Sequence, residues 1–445
     1  MAMKRARKAT VDDEDKDTIE INGVDGTAEN SKRKPRAAKV RAREELVKDE
    51  VEVDAEENDD GHPEFKTVKR KRQTKRKEAS LAPLEERTVG SKICVGAHVS
   101  IAGGVHNSIT NSLFIGANAI AFFLKSQRKW DNPALNPDHA TLFIDDCKKH
   151  GIEPGSCCVP HGSYLVNLAH PDKARKKQAY DSFHDDLTRC YKLGIKYYNF
   201  HPGNANATTR EEGIRLIAEH INTAHKDPAT GDVIPLLETM ASLGNTIGGT
   251  FEDIAAIIEH VEDKDRIGVC LDTCHAFAAG YDLRTPEIYL ETIATFDKVI
   301  GLRYLKALHI NDSKAPFASH RDLHARIGTG YLGLRAFYNV VNDERLHGLP
   351  MVLETPIDVI GEDGKKTEDK GIWAREIKML EKLVGMDVKS EEFKELEADL
   401  QYQGKEERER IGEQVERKKA KVDRGVKKKG KKKVESEDDD DNDEE

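Results

Sequence analysis

The stretch "GVCLDTCHAFAAGYD" (268–282) ends an apolar run on Asp272 and sets His275 three residues later in surroundings that stay apolar. A carboxylate at the end of a buried strand is costly to desolvate unless something pairs with it. Two readings are open: Asp272 caps the helix that follows, or it is a metal ligand at the mouth of a barrel. His275 lies one helical turn beyond it, so both can face one pocket.

The same placement recurs along the chain. His98, His161, His201, Glu238, Asp272, His309 and Glu354 each stand at the end of a short β-rich run, seven of eight such runs in all. Bare charges facing one another in that number need cations between them. The loop after the seventh run, "SHRDLHARIGTG", adds Asp322 and His324 in a D-x-H pair. A mixed His/carboxylate set without cysteine favours zinc or manganese in a catalytic setting over a structural zinc site. The donors exceed one tetrahedral site, so two or three metals sharing a bridging carboxylate fit better, an arrangement suited to phosphodiester hydrolysis.

The elements that must position these groups alternate in kind. The β-rich runs fall at 93–99, 118–124, 152–161, 195–201, 233–239, 267–273, 305–311 and 350–355. Segments with apolar residues at helical spacing follow them, among them "EEGIRLIAEHINTAH", "FEDIAAIIEHV" and "IWAREIKMLEKLV". Strand and helix repeated eight times predict an α/β fold, a (β/α)8 TIM barrel, with an open doubly wound sheet as the alternative. In a barrel the C-terminal strand ends converge, which would gather the scattered donors into one ring. No G-x-G-x-x-G or Walker loop follows the first run, which weakens a nucleotide-binding reading.

Of the 445 residues 34% are charged, too many for one uniform globule. Residues 1–88 alternate acidic runs with basic clusters ("KRARK", "SKRKPR", "KRKRQTKRK") and predict a disordered tail with nuclear-import-like signals. Residues 89–387 are the expected barrel, long enough for one large core. Residues 388–445 read as a charged tail, helical then disordered, basic then acidic. The net charge of −10 hides this segregation. No apolar run is long enough for a membrane span, and the N-terminus lacks a hydrophobic signal region. Seven cysteines without a C-x-x-C pair fit reduced thiols in a cytosolic or nuclear compartment.

At these residues the chain resembles the endonuclease IV family of apurinic/apyrimidinic (AP) endonucleases, particularly its fungal branch. The motifs "GAHVSIAGG", "VPHGSYLVNL", "NFHPG", "GVCLDTCHAFAAGYD", "HINDSKAP", "RDLHARIGTGYLG" and "VLET" occur in the family's order over most of 93–386. The resemblance implies a zinc-dependent TIM barrel that cuts DNA 5′ to an abasic site and trims blocked 3′ ends in base excision repair. It implies three zinc ions, with manganese as an alternative at one site. His161, His201 and Glu238 would hold the first. Glu238 would bridge to a second held also by Asp272, His309 and Glu354, and would position the attacking water. His275, Asp322 and His324 would hold the third. Arg128, Tyr164 and Leu165 match family residues that insert into the duplex, although Tyr164 and Leu165 equally suit the core face of a following helix. His98 would orient a ligand, touch a phosphate or simply fill the core.

Four positions depart from family patterns: Thr239 and Ser242 stand where Asn and Gly are usual, Leu323 differs from the bacterial D-R-H, and Thr329 often gives way to Glu in bacterial relatives. The expected partners are double-stranded DNA with abasic sites or blocked 3′ ends and a nuclear import receptor. The expected state is a monomer in the nucleus, with a possible mitochondrial fraction. Two rivals remain: a metal-dependent sugar isomerase or epimerase on the same barrel, and a catalytically inactive chromatin-binding protein. The third donor set and the basic arms argue against the first, and the complete donor set against the second. The tails are expected to tune location and DNA affinity, so that a 90–387 fragment would keep its catalytic rate.

Overall fold

The computed structural model describes residues 82–361 and 364–437, with side chains described as far as residue 421. The basic clusters expected to direct nuclear import, and the acidic residues 438–445, lie outside the described residues.

The strands in chain order are β1 (Cys94–His98), β2 (Ala119–Ala121), β3 (Tyr197–Phe200), β4 (Gly203–Asn204), β5 (Ile234–Glu238), β6 (Thr246–Ile247), β7 (Gly268–Asp272) and β8 (Leu305–His309). They continue with β9 (Asp312–Ser313), β10 (His324–Ala325), β11 (Pro350–Leu353), β12 (Asp358–Ile360) and β13 (Lys366–Glu368). The helices are α1 (Asn107–Phe114), α2 (Pro137–Lys149), α3 (Pro154–Cys157), α4 (Lys173–Lys192), α5 (Arg210–His225) and α6 (Phe251–His260). They continue with α7 (Thr273–Ala279), α8 (Pro286–Val299), α9 (Gly333–Val341), α10 (Gly371–Leu383), α11 (Glu391–Gln403) and α12 (Lys405–Glu437).

Seven strands form one parallel sheet in the order β2-β1-β11-β8-β7-β5-β3. The segment 158–161 bridges its two edges: Cys158 pairs with Ile120, and His161 with both Phe123 and Asn199, all in parallel. This closes the TIM barrel. The expected strand at 152–161 is reduced to these single bridges. Pro154 opens the short helix α3 at a position that needs no donor. Pro160 has no N–H with which to continue a ladder.

Side chains alternate across each strand, so every second residue faces inward. Val159, Ile234, Leu236, Cys270 and Ala307 cluster together, as do Ala119, Ala121 and Val352. Two residues above these layers stand His161, Glu238, Asp272, His309 and Glu354. The period of two that fills the barrel with apolar groups therefore delivers the polar ring at its top. The larger apolar layer lies between strands and helices and includes Phe122, Phe143, Phe183, Phe251, Phe277 and Phe337.

Packing does not stop at residue 387, where the sequence placed the end of the barrel domain. Phe393 on α11 is fully buried, and Ile411 and Val415 on α12 are buried as well. A cut at residue 387 removes these buried residues from the packed body. All seven cysteines are free thiols. Among the described residues no helix is long and apolar enough to cross a membrane.

A largely buried ionic cluster ties the segment after β2 to α4. Lys125, just after β2, places Nζ 3.0 Å from Asp185 and 3.3 Å from Asp186, and donates to the Ser182 carbonyl at 2.7 Å. The Tyr198 hydroxyl donates to Asp186 at 3.0 Å. Burial pushes the Asp186 carboxyl up to about 6, against the pull of Lys125. Removing the ammonium leaves a buried carboxylate without its counter-charge. Lys125→Met is expected to cost about 3 kcal/mol, read as a lower midpoint in denaturant unfolding at pH 7.

Candidate metal centre

Glu238 ends β5 with its carboxylate fully buried. Its Oε2 lies 3.1 Å from His161 Nε2 and 3.3 Å from His201 Nε2. Oε1 lies 3.2 Å from His309 Nδ1 and 3.4 Å from His275 Nδ1. Burial alone would raise this carboxyl; the imidazoles of His309, His201 and His161 overcome that and hold it well below the usual range. The two oxygens thus face opposite halves of the ring, which is the geometry a bridging ligand needs.

Both readings of Asp272 hold together. Oδ1 accepts from the His275 backbone N–H at 2.7 Å and caps α7. Oδ2 accepts from the Asn311 amide at 2.7 Å and points towards His309 and His324, each 3.8 Å away. The Glu354 carboxylate reaches His309 Nδ1 at 3.2 Å. His324 Nε2 and His275 Nε2 lie 3.2 and 3.1 Å from the two oxygens of Asp322. All nine expected ligands are therefore joined in one continuous set of contacts.

The tautomers follow from the backbone. His161 Nδ1 lies 2.7 Å from the Gly162 carbonyl, and His275 Nδ1 2.9 Å from the Thr239 carbonyl. A carbonyl only accepts, so each Nδ1 carries the proton and each Nε2 turns a lone pair inward. His275 Nε2 and His324 Nε2 are buried without a hydrogen-bond partner. Lone pairs and carboxylates converging in a largely buried pocket repel unless a cation sits among them. Three His/carboxylate groups each bring their donor atoms within 4.8 Å of one another: His161–Glu238–His309, Glu238–Asp272–His309–Glu354, and His275–Asp322–His324. These residues fit a multinuclear metal centre.

Cys274 was not expected there, yet its sulfur joins Asp272 and His324 within the same span. Burial pushes that thiol far up, so it stays protonated beside the site. His98 stays at the edge: its ring packs on Phe123 at 4.5 Å and on His161 at 6.2 Å. Burial pushes its imidazole down to about 4, so it is neutral.

Four supporting residues carried no role in the sequence reading. Asn199 donates to Glu238 Oε2 at 2.6 Å. Asn311 bonds Asp272 and accepts from the Glu354 backbone at 2.9 Å, tying two ligands together. Asp312 accepts from the backbones of Ser313, Gly330 and Leu332. Glu376 accepts from Thr355 Oγ1 and the Ile327 backbone. The asparagines do carry a signal, standing two residues from His201 and from His309 on inward positions.

The departures find roles of their own. The Thr239 hydroxyl accepts from the Asp272 backbone at 3.0 Å, and its carbonyl anchors His275. Ser242 adopts a left-handed φ of 60°, at a cost of about 1 kcal/mol for a residue with a Cβ, and its hydroxyl donates to the Gly249 carbonyl at 2.6 Å. The Leu323 carbonyl accepts from the Lys314 backbone at 2.9 Å. The Thr329 hydroxyl donates to the Arg326 carbonyl at 2.8 Å.

Around the ring stands a looser rim. Tyr164 is 57% exposed and Leu165 38%. They occupy a turn, and the reading that places them on the core face of a helix does not describe them. The Tyr164 ring nevertheless lies 5.3 Å from both His161 and His201. Arg128 is exposed on the loop after β2, and Ser163 Oγ donates to the Gln127 carbonyl at 3.0 Å, binding that loop to the one carrying Tyr164.

Comparison with known proteins separates the two enzymatic readings. Residues 113–383 match the family model of the xylose isomerase-like TIM barrel, a description broad enough for both. The apurinic-apyrimidinic endonuclease 1 of Schizosaccharomyces pombe is 44% identical over 72% of this chain and 90% of its own length. The probable endonuclease 4 of Campylobacter curvus is 45% identical over 65% of this chain and 97% of its own. The crystal structure of endonuclease IV from Thermus thermophilus matches 64% of this chain and 98% of its own, at 30% identity and a TM-score of 0.54.

Outer partners of metal ligands commonly govern affinity by tenfold or more. Asn311→Ala, which frees both Asp272 and the Glu354 backbone, is expected to weaken metal retention by about 10- to 100-fold. Chelator titration with elemental analysis of the protein measures this.

Proposed function

This chain belongs to the endonuclease IV family of AP endonucleases, hydrolases that cut DNA at abasic sites, and on that premise we propose that it does so through three zinc ions held by the ring. The observation that carries the zinc reading is the convergence of imidazole nitrogens and carboxylates on a largely buried pocket. Zinc bound there supplies positive charge for the phosphate and lowers the pKa of water, so that hydrolysis runs near neutral pH. His161, His201 and Glu238 would hold one zinc, Glu238, Asp272, His309 and Glu354 a second, and His275, Asp322 and His324 the third. Manganese suits the last site as well, because two imidazoles and a carboxylate do not discriminate strongly.

The protein groups then have defined tasks. Glu238, locked by Asn199 on one oxygen, orients the nucleophile for in-line attack on the phosphorus 5′ to the abasic sugar. The same pocket accepts a blocked 3′ end, which gives a 3′-phosphodiesterase activity. Tyr164 and Leu165 enter the duplex as a wedge and Arg128 follows from the neighbouring loop. Their exposure beside a buried ring supports this. A wedge offsets the cost of unstacking, and flipping costs least where no base pair must be broken. The reading places the protein in base excision repair as a nuclear monomer carried by an import receptor, with a mitochondrial fraction. The lysine- and arginine-rich segments outside the barrel add salt-dependent affinity for duplex DNA.

Elemental analysis is expected to find about three zinc per chain, and full activity in metal-free protein would overturn the reading. Glu238→Gln should abolish incision of an abasic duplex while sparing its binding, measured by nicking and gel-shift assays on the same substrate. Tyr164→Ala with Leu165→Ala should slow abasic incision tenfold or more, about 1.4 kcal/mol in the transition state. Removal of a 3′ block, where the end already frays, should suffer less. An equal fall in both reactions would contradict the wedge.

A further inference from the structure

We propose that α11 and α12 are a brace for the loop that carries Asp322 and His324, with Gln401 and Arg408 as its positioning residues. The inference rests on the reading that these two side chains, with His275, hold a metal.

The loop leaves β9 and returns at β10, and the ladder that closes it has only two residue pairs, His324 with Ser313 and Ala325 with Asp312. So short a ladder is marginal by itself. The Asp322 side chain is about half exposed, so burial does not fix it either. A ligand held within tenths of an ångström needs support from elsewhere.

That support comes from the C-terminal helices. Gln401 Nε2 donates to the Gly328 carbonyl at 2.8 Å and to the Gly330 carbonyl at 3.1 Å. The Arg408 guanidinium donates to the carbonyl of Thr329 between them. Tyr331 returns a bond from its hydroxyl to the Arg408 carbonyl at 2.8 Å. Three consecutive carbonyls on the outgoing side are thus held by two side chains. On the incoming side Lys314 Nζ lies 3.2 Å from Glu407 Oε1, so α12 reaches both ends of the excursion.

The approach is close. A Cβ on Gly404 would lie 1.9 Å from the Thr329 carbonyl oxygen, so only glycine lets the helices meet the loop. The brace is anchored independently of the loop it holds. Phe393 packs edge-on to Tyr338 of α9 at 5.6 Å, and Glu397 takes a bidentate pair from Arg335 at 2.8 Å. Thr329 acts in this through its backbone.

Full-length wild type, Gln401→Ala/Arg408→Ala and Glu397→Ala would be dialysed against graded EDTA and their zinc counted by elemental analysis. The double variant is expected to lose one equivalent of zinc at least tenfold more readily than wild type and to retain the others. Glu397→Ala, which loosens one of the two outer anchors and leaves Phe393 seated against Tyr338, should shift the loss in the same direction but less than the double variant does. Gln401→Ala alone, which removes just a partly buried amide, should shift in the same direction and serves if the double variant does not fold. Unchanged zinc retention in the Gln401 variants overturns the proposal. So does parallel loss of every equivalent together with unfolding, which marks a purely structural role. A wild type without a third equivalent would instead refute the three-metal reading on which the proposal rests.

Discussion

The structure depends on one electrostatic constraint: carboxylates and imidazole nitrogens converge on a single, largely buried site. Glu238, Asp272 and Glu354 present carboxylates to imidazoles, of which His161 and His275 also turn Nδ1 to a backbone carbonyl. Such an arrangement is untenable as a neutral core and costly as a bare set of charges. A cation resolves both problems together. Lacking one, only protons could neutralise the ring, and the His324 imidazole is accordingly pushed up to about 9, its burial outweighed by Asp322 and Asp272. Metal and proton therefore compete for the same lone pairs.

The barrel answers that constraint with its strand period. Apolar residues two and four positions earlier on a strand fix which way its last residue points. Leu236 below Glu238, Cys270 below Asp272 and Ala307 below His309 make this concrete. This is why the fold and the ring could both be read from the sequence. A polar residue closing an apolar run says little alone, but the same event at the end of nearly every run locates a site. Asp272 shows the economy of the scheme: one oxygen caps a helix while the other faces the ring.

What escaped the sequence reading has physical reasons. The third strand looked continuous because its residues are apolar, but the effect of Pro154 and Pro160 is on donors, not on hydrophobicity. Asp312 and Glu376 serve backbone N–H groups on loops distant in sequence, and no local pattern announces such partners. Their burial pushes the carboxyls up, to about 6 and about 7. Most instructive is the region beyond residue 387. Its composition is that of a solvated tail, since one helix face is densely charged. A few residues on the other face, Phe393, Ile411 and Val415, suffice to bury it. Composition averages over both faces and so conceals the seam.

The same contrast separates chemistry from recognition. Most of the ring is buried, Glu238, Asp272 and His309 fully so, and several of its ligands are held by a second partner. The rim is exposed, and Tyr164 and Leu165 keep apolar surface in water although the chain could have buried it elsewhere. That cost is understandable if the surface finds cover in a partner. Tyr164 stands between the two levels, half exposed and with its ring set against His161 and His201. Whatever displaces that ring also presses on two residues of the ring below. Ser163, the residue before it, is bonded to the loop of Arg128, which ties the two rim loops together. Rim and ring are thus in direct contact, because the Tyr164 ring lies against two imidazoles that face Glu238.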